Sequence, residues 1–291
     1  MRLDRWLRDR FPGLSQSQAR EIFDRGWVRD GRGRALAKGE GVPETVDIHL
    51  WEDRLRELRS GDPALTMDVL AEHRSYWIVD KPPALAGHPL GVDDVHTVTQ
   101  WAFARDAKVA TEFSDPIAIV TPHRLDTGTS GCLVVARTQE AYDHWRSDFA
   151  EHSIEKTYLA WTWGADGTNP CVVRHSIGAV PGDPTRRKAV GEGVRGDGIY
   201  PAETELTPVA HTKTMTLWEA RCRTGVTHQV RVHLTAIGFP LVGDAAYDPK
   251  YQERPVQPAY HWLRATKLAA PLGTFQAQTD AFRALPNEGD H

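Results

Sequence analysis

The chain has 291 residues, 40% of them hydrophobic and 25% charged, with a formal net charge of -4. These are the proportions of a folded chain with a sizeable core, not of a disordered one. No apolar run approaches the roughly 18 residues that cross a bilayer, and the charged start MRLDRWLRDR excludes a secretory signal, so a cytoplasmic address is expected.

Cys132, Cys171 and Cys222 stand far apart with no C-x-x-C spacing. Reduced, buried fillers are expected in place of a disulfide or a metal set. The negative total does not favour nucleic acid, but its distribution does: residues 1–39 hold ten Lys or Arg against five Asp or Glu. Leu3, Trp6 and Leu7 fall at helical spacing, FPG at 11–13 stops that helix, and Ser15 or Ser17 caps a second one running to Gly26. Short hairpin strands are expected in WVRDGRGRALAKGEGVPETVDIHL. This pattern, RLDRWL followed by SQSQAREIFDRGWV, resembles the RNA-binding domain named after ribosomal protein S four. The resemblance implies a small RNA-binding domain over residues 1–60, with Arg2, Arg5, Arg20 and Arg25 as phosphate contacts. The plainer reading is a solvated, charged helix pair.

Residues 51–70 read as a connecting segment, after which the chain becomes strand-rich. SYWIVD is strand-like and ends at the proline turn of KPPALAGHP; IAIV and CLVVA are strand-like runs flanking HRLDTGTSG. Thr138 caps a helix predicted from Gln139 to about Ala150, and KTYLAWTWG alternates as a half-buried strand would. AETELTPVA and MTLWEARC read as a strand pair. THQVRVHLTAIGFP reads as a helix with Thr227 at its N-cap and Gly238 past its end. On that helix Val230, Leu234 and Ile237 form the apolar stripe, leaving His228, Arg231 and Thr235 on another face. Arg231 in the first turn opposes the helix dipole, a cost that a nearby carboxylate offsets.

Three stretches, HRLDTGTSGCLVVA (123–136), KTYLA (156–160) and TGVTHQVRVHLTAIGFPLVGDAAY (224–247), resemble the three motifs of RluA-type pseudouridine synthases in order and spacing. KPPALAGHP and AETEL resemble secondary signatures of that family. The likeness covers roughly residues 75 to 283, within a catalytic domain expected over 71–285, and the third motif is the most specific part. It implies an α+β fold: a mainly antiparallel central sheet with flanking helices and an RNA-binding cleft. It also implies that Asp126 is the catalytic carboxylate, that Tyr158 packs on the target uracil, and that Arg231 pairs with Asp126. Arg124, with His123 beside it, is implied to help open the RNA and fill the place of the flipped base. One departure is Val226, where the family usually has Arg.

Such an enzyme breaks the bond between uracil and ribose, turns the base and rejoins it through a ring carbon. No redox or phosphate-transfer step occurs, so no cofactor and no metal is expected. One ionised carboxylate in a shielded pocket suffices, either to attack the nucleotide or to remove a sugar proton. Burial disfavours that charge and an adjacent guanidinium restores it, the part given to Arg231. A base must leave the stack to be reached, and an aromatic ring such as Tyr158 replaces roughly 1 to 3 kcal/mol of lost stacking. For Tyr158 the competing reading is a strand tyrosine covering core, and for Asp126 alone a turn or cap residue.

Arg174, Arg186, Arg187 and Lys188 lie in a Gly- and Pro-rich region read as RNA-facing loops, with solvated surface charge as the alternative. His123, His228 and His233 do not make a zinc set, because the last two are five apart on one helix. The rivals are a non-catalytic RNA-binding assembly factor, a hydrolase using Ser130, which lacks the G-x-S-x-G elbow, and a glycosidase, which needs a second carboxylate. The expected partner is RNA, ribosomal RNA before transfer RNA, with no membrane, no obligatory protein partner, and a monomer by default.

Overall fold

The computed structural model describes residues 1–284 apart from 114, 116 and 118. The chain opens with helices α1 (Leu3–Arg10) and α2 (Gln16–Asp24). Ser15 caps α2 in a full capping box with Gln18, which satisfies the free N–H groups of its first turn. A two-residue pair, β1 (Arg29–Asp30) and β2 (Val46–Asp47), follows. Leu3, Leu7, Ile22, Val28 and Ile48 make a small core.

Helix α3 (His49–Arg59) runs from the end of the stretch expected to be hairpin strands into the segment 51–70 expected to be a connector. Trp51, Leu55 and Leu58 recur at i, i+4 and i+7, so one face closes the N-terminal core while Arg54–Glu57 and Arg56–Asp53 pairs occupy the wet side. Val92 and Ile117 from further along the chain are buried in the same core. Arg25 bonds Asp93 and Glu21, and Arg54 lies 3.9 Å from Asp93. The N-terminal unit is thus seated on the rest of the molecule by apolar contacts and ion pairs.

The remaining strands are β3 (Asp68–Glu72), β4 (Tyr76–Lys81), β5 (Ser130–Ala136), β6 (Glu155–Trp163), β7 (Cys171–Val173), β8 (His175–Val180), β9 (Asp183–Glu192), β10 (Ile199–Tyr200), β11 (Thr204–His211), β12 (Met215–Cys222), β13 (Leu263–Ala270) and β14 (Gly273–Gln276). Nine of these form one sheet in the order β3-β4-β5-β13-β6-β12-β11-β7, with β14 on β13. Only β5 and β13 run parallel. The mainly antiparallel α+β architecture is therefore present. Helices α4 (Val98–Arg105), α5 (Val109–Glu112), α6 (Gln139–Ala150), α7 (Gln229–Ala236) and α8 (Asp280–Arg283) complete it.

Helix α6 starts at the Thr138 cap, whose hydroxyl accepts the Ala141 N–H. Strand β6 is buried on both faces: Leu159, Trp161 and Trp163 enter one apolar cluster, while Ala160 enters another with Tyr158 packed beside it. Its place between β13 and β12 explains why alternation understated its burial. In the expected strand IAIV, Ala118 lies outside the described residues; Ile119 and Val120 are not in a strand, and the Val120 carbonyl accepts the Ala136 N–H.

The region expected to be loops around Arg174 to Lys188 is instead a three-stranded sheet, β10-β8-β9, packed toward α7. All three cysteines are free thiols; Cys132 and Cys222 are buried, whereas Cys171, on the edge strand β7, is exposed. Among the described residues no helix is long and apolar enough to cross a membrane.

Candidate active site

Asp126 sits in the turn that leads into β5, where its carbonyl accepts the Thr129 N–H at 2.9 Å. The turn is clamped on three sides. Buried Lys81, at the end of β4, donates from Nζ to the carbonyls of Pro82, Leu85 and Thr127. Thr129 Oγ1 lies 2.9 Å from Nε2 of His261, and a Cβ on Gly128 would stand 2.8 Å from that imidazole. Gly131 has φ +111, and a Cβ there would come within 2.0 Å of the Ala265 carbonyl oxygen. Only glycine lets β5 approach β13 at this point.

Helix α7 brings Arg231 against this turn. Thr227, expected as its N-cap, bonds Arg124 instead. His228 holds the cap position with a left-handed backbone, φ +61, and Gln229 Oε1 accepts the Val226 N–H just before it. Gly238, at φ +88, follows the helix as expected. Residues Gln229 to Leu234 are all buried, so Arg231 has little access to bulk water. Its Nη1 donates to Asp126 Oδ2 at 2.7 Å, while Nε and Nη2 donate to the two oxygens of Asp244, both at 2.8 Å. The guanidinium also lies 4.9 Å from the centroid of the Tyr247 ring.

Side-chain exposure falls from 24% at Asp126 to 8% at Arg231 and 1% at Asp244. The more exposed carboxylate is therefore backed by a charge pair almost removed from water. Burial works to raise the Asp126 carboxyl, but His228, once protonated at acid pH, and the charge and hydrogen bond of Arg231 outweigh it and hold it below the ordinary range. Burial likewise works against the Arg231 cation, and its two carboxylate partners reverse that and raise it. Asp126 is thus ionised at neutral pH. Its Oδ1 takes no hydrogen bond from the described residues.

Tyr158, on β6 opposite Ala265 of β13 and Ala220 of β12, packs between two apolar clusters. Burial, then the neighbouring Cys222 and Asp126, raise its phenol well above 10. It offers a ring face and an intact O–H at neutral pH. Burial brings Lys81 down to about 8 against the pull of Asp126, and His261 down to about 4.

The other expected contacts fall into two groups. Arg124 is exposed beside the site, with Nη2 on Thr227 Oγ1 at 3.3 Å; Arg187 and Lys188 lie on β9. His123 is half-buried, stacked on Phe149, with Nε2 accepting the Val134 N–H, and burial lowers it to about 3. It supports the loop from within. In the N-terminal unit Arg2 pairs with Asp4, Arg5 with Asp9, Arg20 with Asp24, and Arg25 with Asp93 and Glu21.

Ser130 Oγ accepts from Arg264 Nη1 at 3.3 Å, and among the described residues no histidine bonds it. Asp244 is locked behind Arg231, so no second carboxylate stands across a bond from Asp126. Asp244, Tyr247, His228, Lys81 and His261 were not assigned roles from sequence. Asp244 and Tyr247 lie inside the GDAAY run, and their fixed spacing after the helix was the available signal.

This sheet, with a carboxylate and an arginine meeting at its centre, agrees with the comparisons to known proteins. The signature of the family described as RNA pseudouridylate synthase matches residues 75–236, and the chain belongs to that family. Its class of activity is the isomerisation of uridine in RNA. The chain is 31% identical over 254 residues to "Ribosomal large subunit pseudouridine synthase D" of Xanthomonas campestris, covering 84% of this chain and 71% of that one. It is 27% identical over 277 residues to "RNA pseudouridine synthase 2, chloroplastic" of Arabidopsis thaliana, covering 85% of this chain and 64% of that protein's length. The fold matches the structure "Human RNA Pseudouridylate Synthase Domain Containing 1" with a TM-score of 0.59 at 24% identity, covering 74% of this chain and 84% of that one.

Proposed function

We propose that this chain converts uridine to pseudouridine in ribosomal RNA, with Asp126 as the catalytic carboxylate, Tyr158 against the flipped uracil and Arg231 holding Asp126 ionised. The observation that carries this reading is the 2.7 Å bond between Arg231 and Asp126, which joins residues 105 positions apart. The free Oδ1 is the atom that attacks the nucleotide or takes the sugar proton. Tyr158 stays protonated and stacks on the base, and no cofactor or metal enters the scheme. Arg124 occupies the space left by the extruded base.

Residues 1–60 act as an RNA-binding domain like that of ribosomal protein S four, and residues 71–285 as the catalytic domain. Arg2, Arg5, Arg20 and Arg25 exchange their acidic neighbours for phosphates when RNA arrives, and Arg187 and Lys188 add contacts from β9. The enzyme works in the cytoplasm as a single chain with RNA as its macromolecular partner. Ribosomal RNA is favoured over transfer RNA because the printed name of the Xanthomonas relative specifies the ribosomal large subunit.

The test is incubation of the protein with unmodified large-subunit ribosomal RNA and with transfer RNA, followed by carbodiimide treatment and mapping of reverse-transcription stops. New stops in the ribosomal RNA are expected. Stops confined to transfer RNA move the substrate assignment, and none in either overturns the function.

A further inference from the structure

His228 stands beside the catalytic pair without a part in the scheme above. It holds the N-cap of α7 in a left-handed conformation, φ +61 and ψ 18, which costs a non-glycine residue energy and is retained where the surroundings fix it. Its side chain is hydrogen-bonded at one end and faces a carboxylate at the other. Nε2 lies 3.8 Å from Asp126 Oδ2, and Nδ1 lies 2.7 Å from the hydroxyl of Tyr247. That hydroxyl also accepts the backbone N–H of Arg187 in β9, at 2.9 Å.

These contacts decide where the protons are. A phenol has one proton to give, and the Arg187 N–H can only donate. The pairing that satisfies all three groups has Tyr247 donating to Nδ1, so the proton of the neutral ring is on Nε2, the nitrogen turned to Asp126. The charged and titratable groups facing the ring are Asp126 in the turn, Arg231 on α7, Asp244 and Tyr247 in the turn after α7, His261 before β13, and Arg187 on β9. Burial, the largest influence, keeps the imidazole below its ordinary value and hence neutral at pH 7 and above.

We propose that His228 is a positioning residue for Asp126: its Nε2–H, fixed by Tyr247, faces Oδ2 across 3.8 Å and, through its dipole and its bulk beside the Arg231 hydrogen bond, keeps Oδ1 turned to the substrate. The same chain of contacts ties β9 to the carboxylate, since the Arg187 N–H orients Tyr247 and Tyr247 orients His228. This inference rests on the reading of Asp126 as the catalytic carboxylate.

The experiment uses the full chain, wild type, His228→Ala, His228→Gln and Tyr247→Phe. Long-range nitrogen–proton NMR of histidine-labelled protein without RNA, at pH 7.5, reads the tautomer, with the His228 signals assigned by their loss in His228→Gln. The expected wild-type form is Nε2–H, and Tyr247→Phe, which keeps the ring but removes the donor, shifts it toward a mixture. Single-turnover isomerisation is expected to fall about 10- to 100-fold in His228→Ala and about 10-fold in Tyr247→Phe, with RNA affinity within about twofold. His228→Gln, which retains an N–H donor, recovers part of the loss.

An Nδ1–H or doubly protonated ring in the wild type overturns the proposal. So do wild-type rates in His228→Ala or in Tyr247→Phe while the wild type turns over. A wild type that isomerises neither RNA class overturns the reading of the site itself, and the two failures are thereby distinct.

Discussion

Arg231 is held by Asp244 through Nε and Nη2 and spends its remaining Nη1 on Asp126. The fork geometry makes one cation serve two carboxylates, one buried and one partly exposed. Lysine has a single point of charge and cannot bridge both in this way.

Arg231→Lys is therefore expected to lower the single-turnover rate by about 100-fold. It also changes the pH profile in a definite direction. The Asp126 carboxyl is held below the ordinary carboxylate range in the native protein, so the acid limb of the wild-type rate lies below that range. Without the fork, burial prevails and raises the carboxyl, so the acid limb moves to higher pH. Single-turnover rates between pH 4 and 8 measure the shift.

Lys81→Met removes the donor that Pro82, Leu85 and Thr127 share, and leaves those carbonyls short of a partner. A loss of about 1–3 kcal/mol in urea unfolding is expected. The pH dependence separates charge from packing. With its folded value near 8, the amine releases its proton in the native protein before it does in the unfolded chain. Its share of stability therefore rises from about pH 8 to about pH 10.4, and the gap between wild type and Lys81→Met should widen across that window.

Gly131→Ala places a methyl against the Ala265 carbonyl at a φ of +111, where neither backbone can give way. About 3 kcal/mol or more of destabilisation is expected. Gly182 also has positive φ, +82, yet nothing lies within 4 Å of its Cβ position. Gly182→Ala should cost only about 1–2 kcal/mol, the conformational part alone. Thermal melts of the two variants separate strain from collision.

Lys188→Ala on β9 tests the RNA surface. Its side chain is exposed on the strand whose neighbour Arg187 anchors Tyr247. Loss of one phosphate contact lowers the slope of log affinity against log salt by about 1 and weakens all RNA sequences alike. Filter binding across a salt series reads both.

The parts legible in the sequence are those governed by local rules. The Thr138 cap and the spacing after it placed α6 at its observed bounds, and AETELTPVA and MTLWEARC pair as β11 and β12. Helix α3 was hidden because its apolar residues are interleaved with arginines and glutamates that pair on its outer face. Pairing of Asp126 with Arg231 followed from a family resemblance and is observed. The grip of Asp244 on Arg231, and that of Tyr247 on His228, arise only when the chain after α7 folds back over the helix, a tertiary arrangement with no local signature. The same holds for His123, whose burial against Phe149 depends on how α6 packs.

The central claim is that Asp126 performs the isomerisation. Forming pseudouridine releases the hydrogen on ring carbon five of uracil, so RNA carrying tritium there reports turnover directly. Asp126→Asn is expected to bind RNA as the wild type does and to release no tritium to water above the level without enzyme. Tritium release by Asp126→Asn at a rate near that of the wild type, in a preparation free of other synthases, would contradict it.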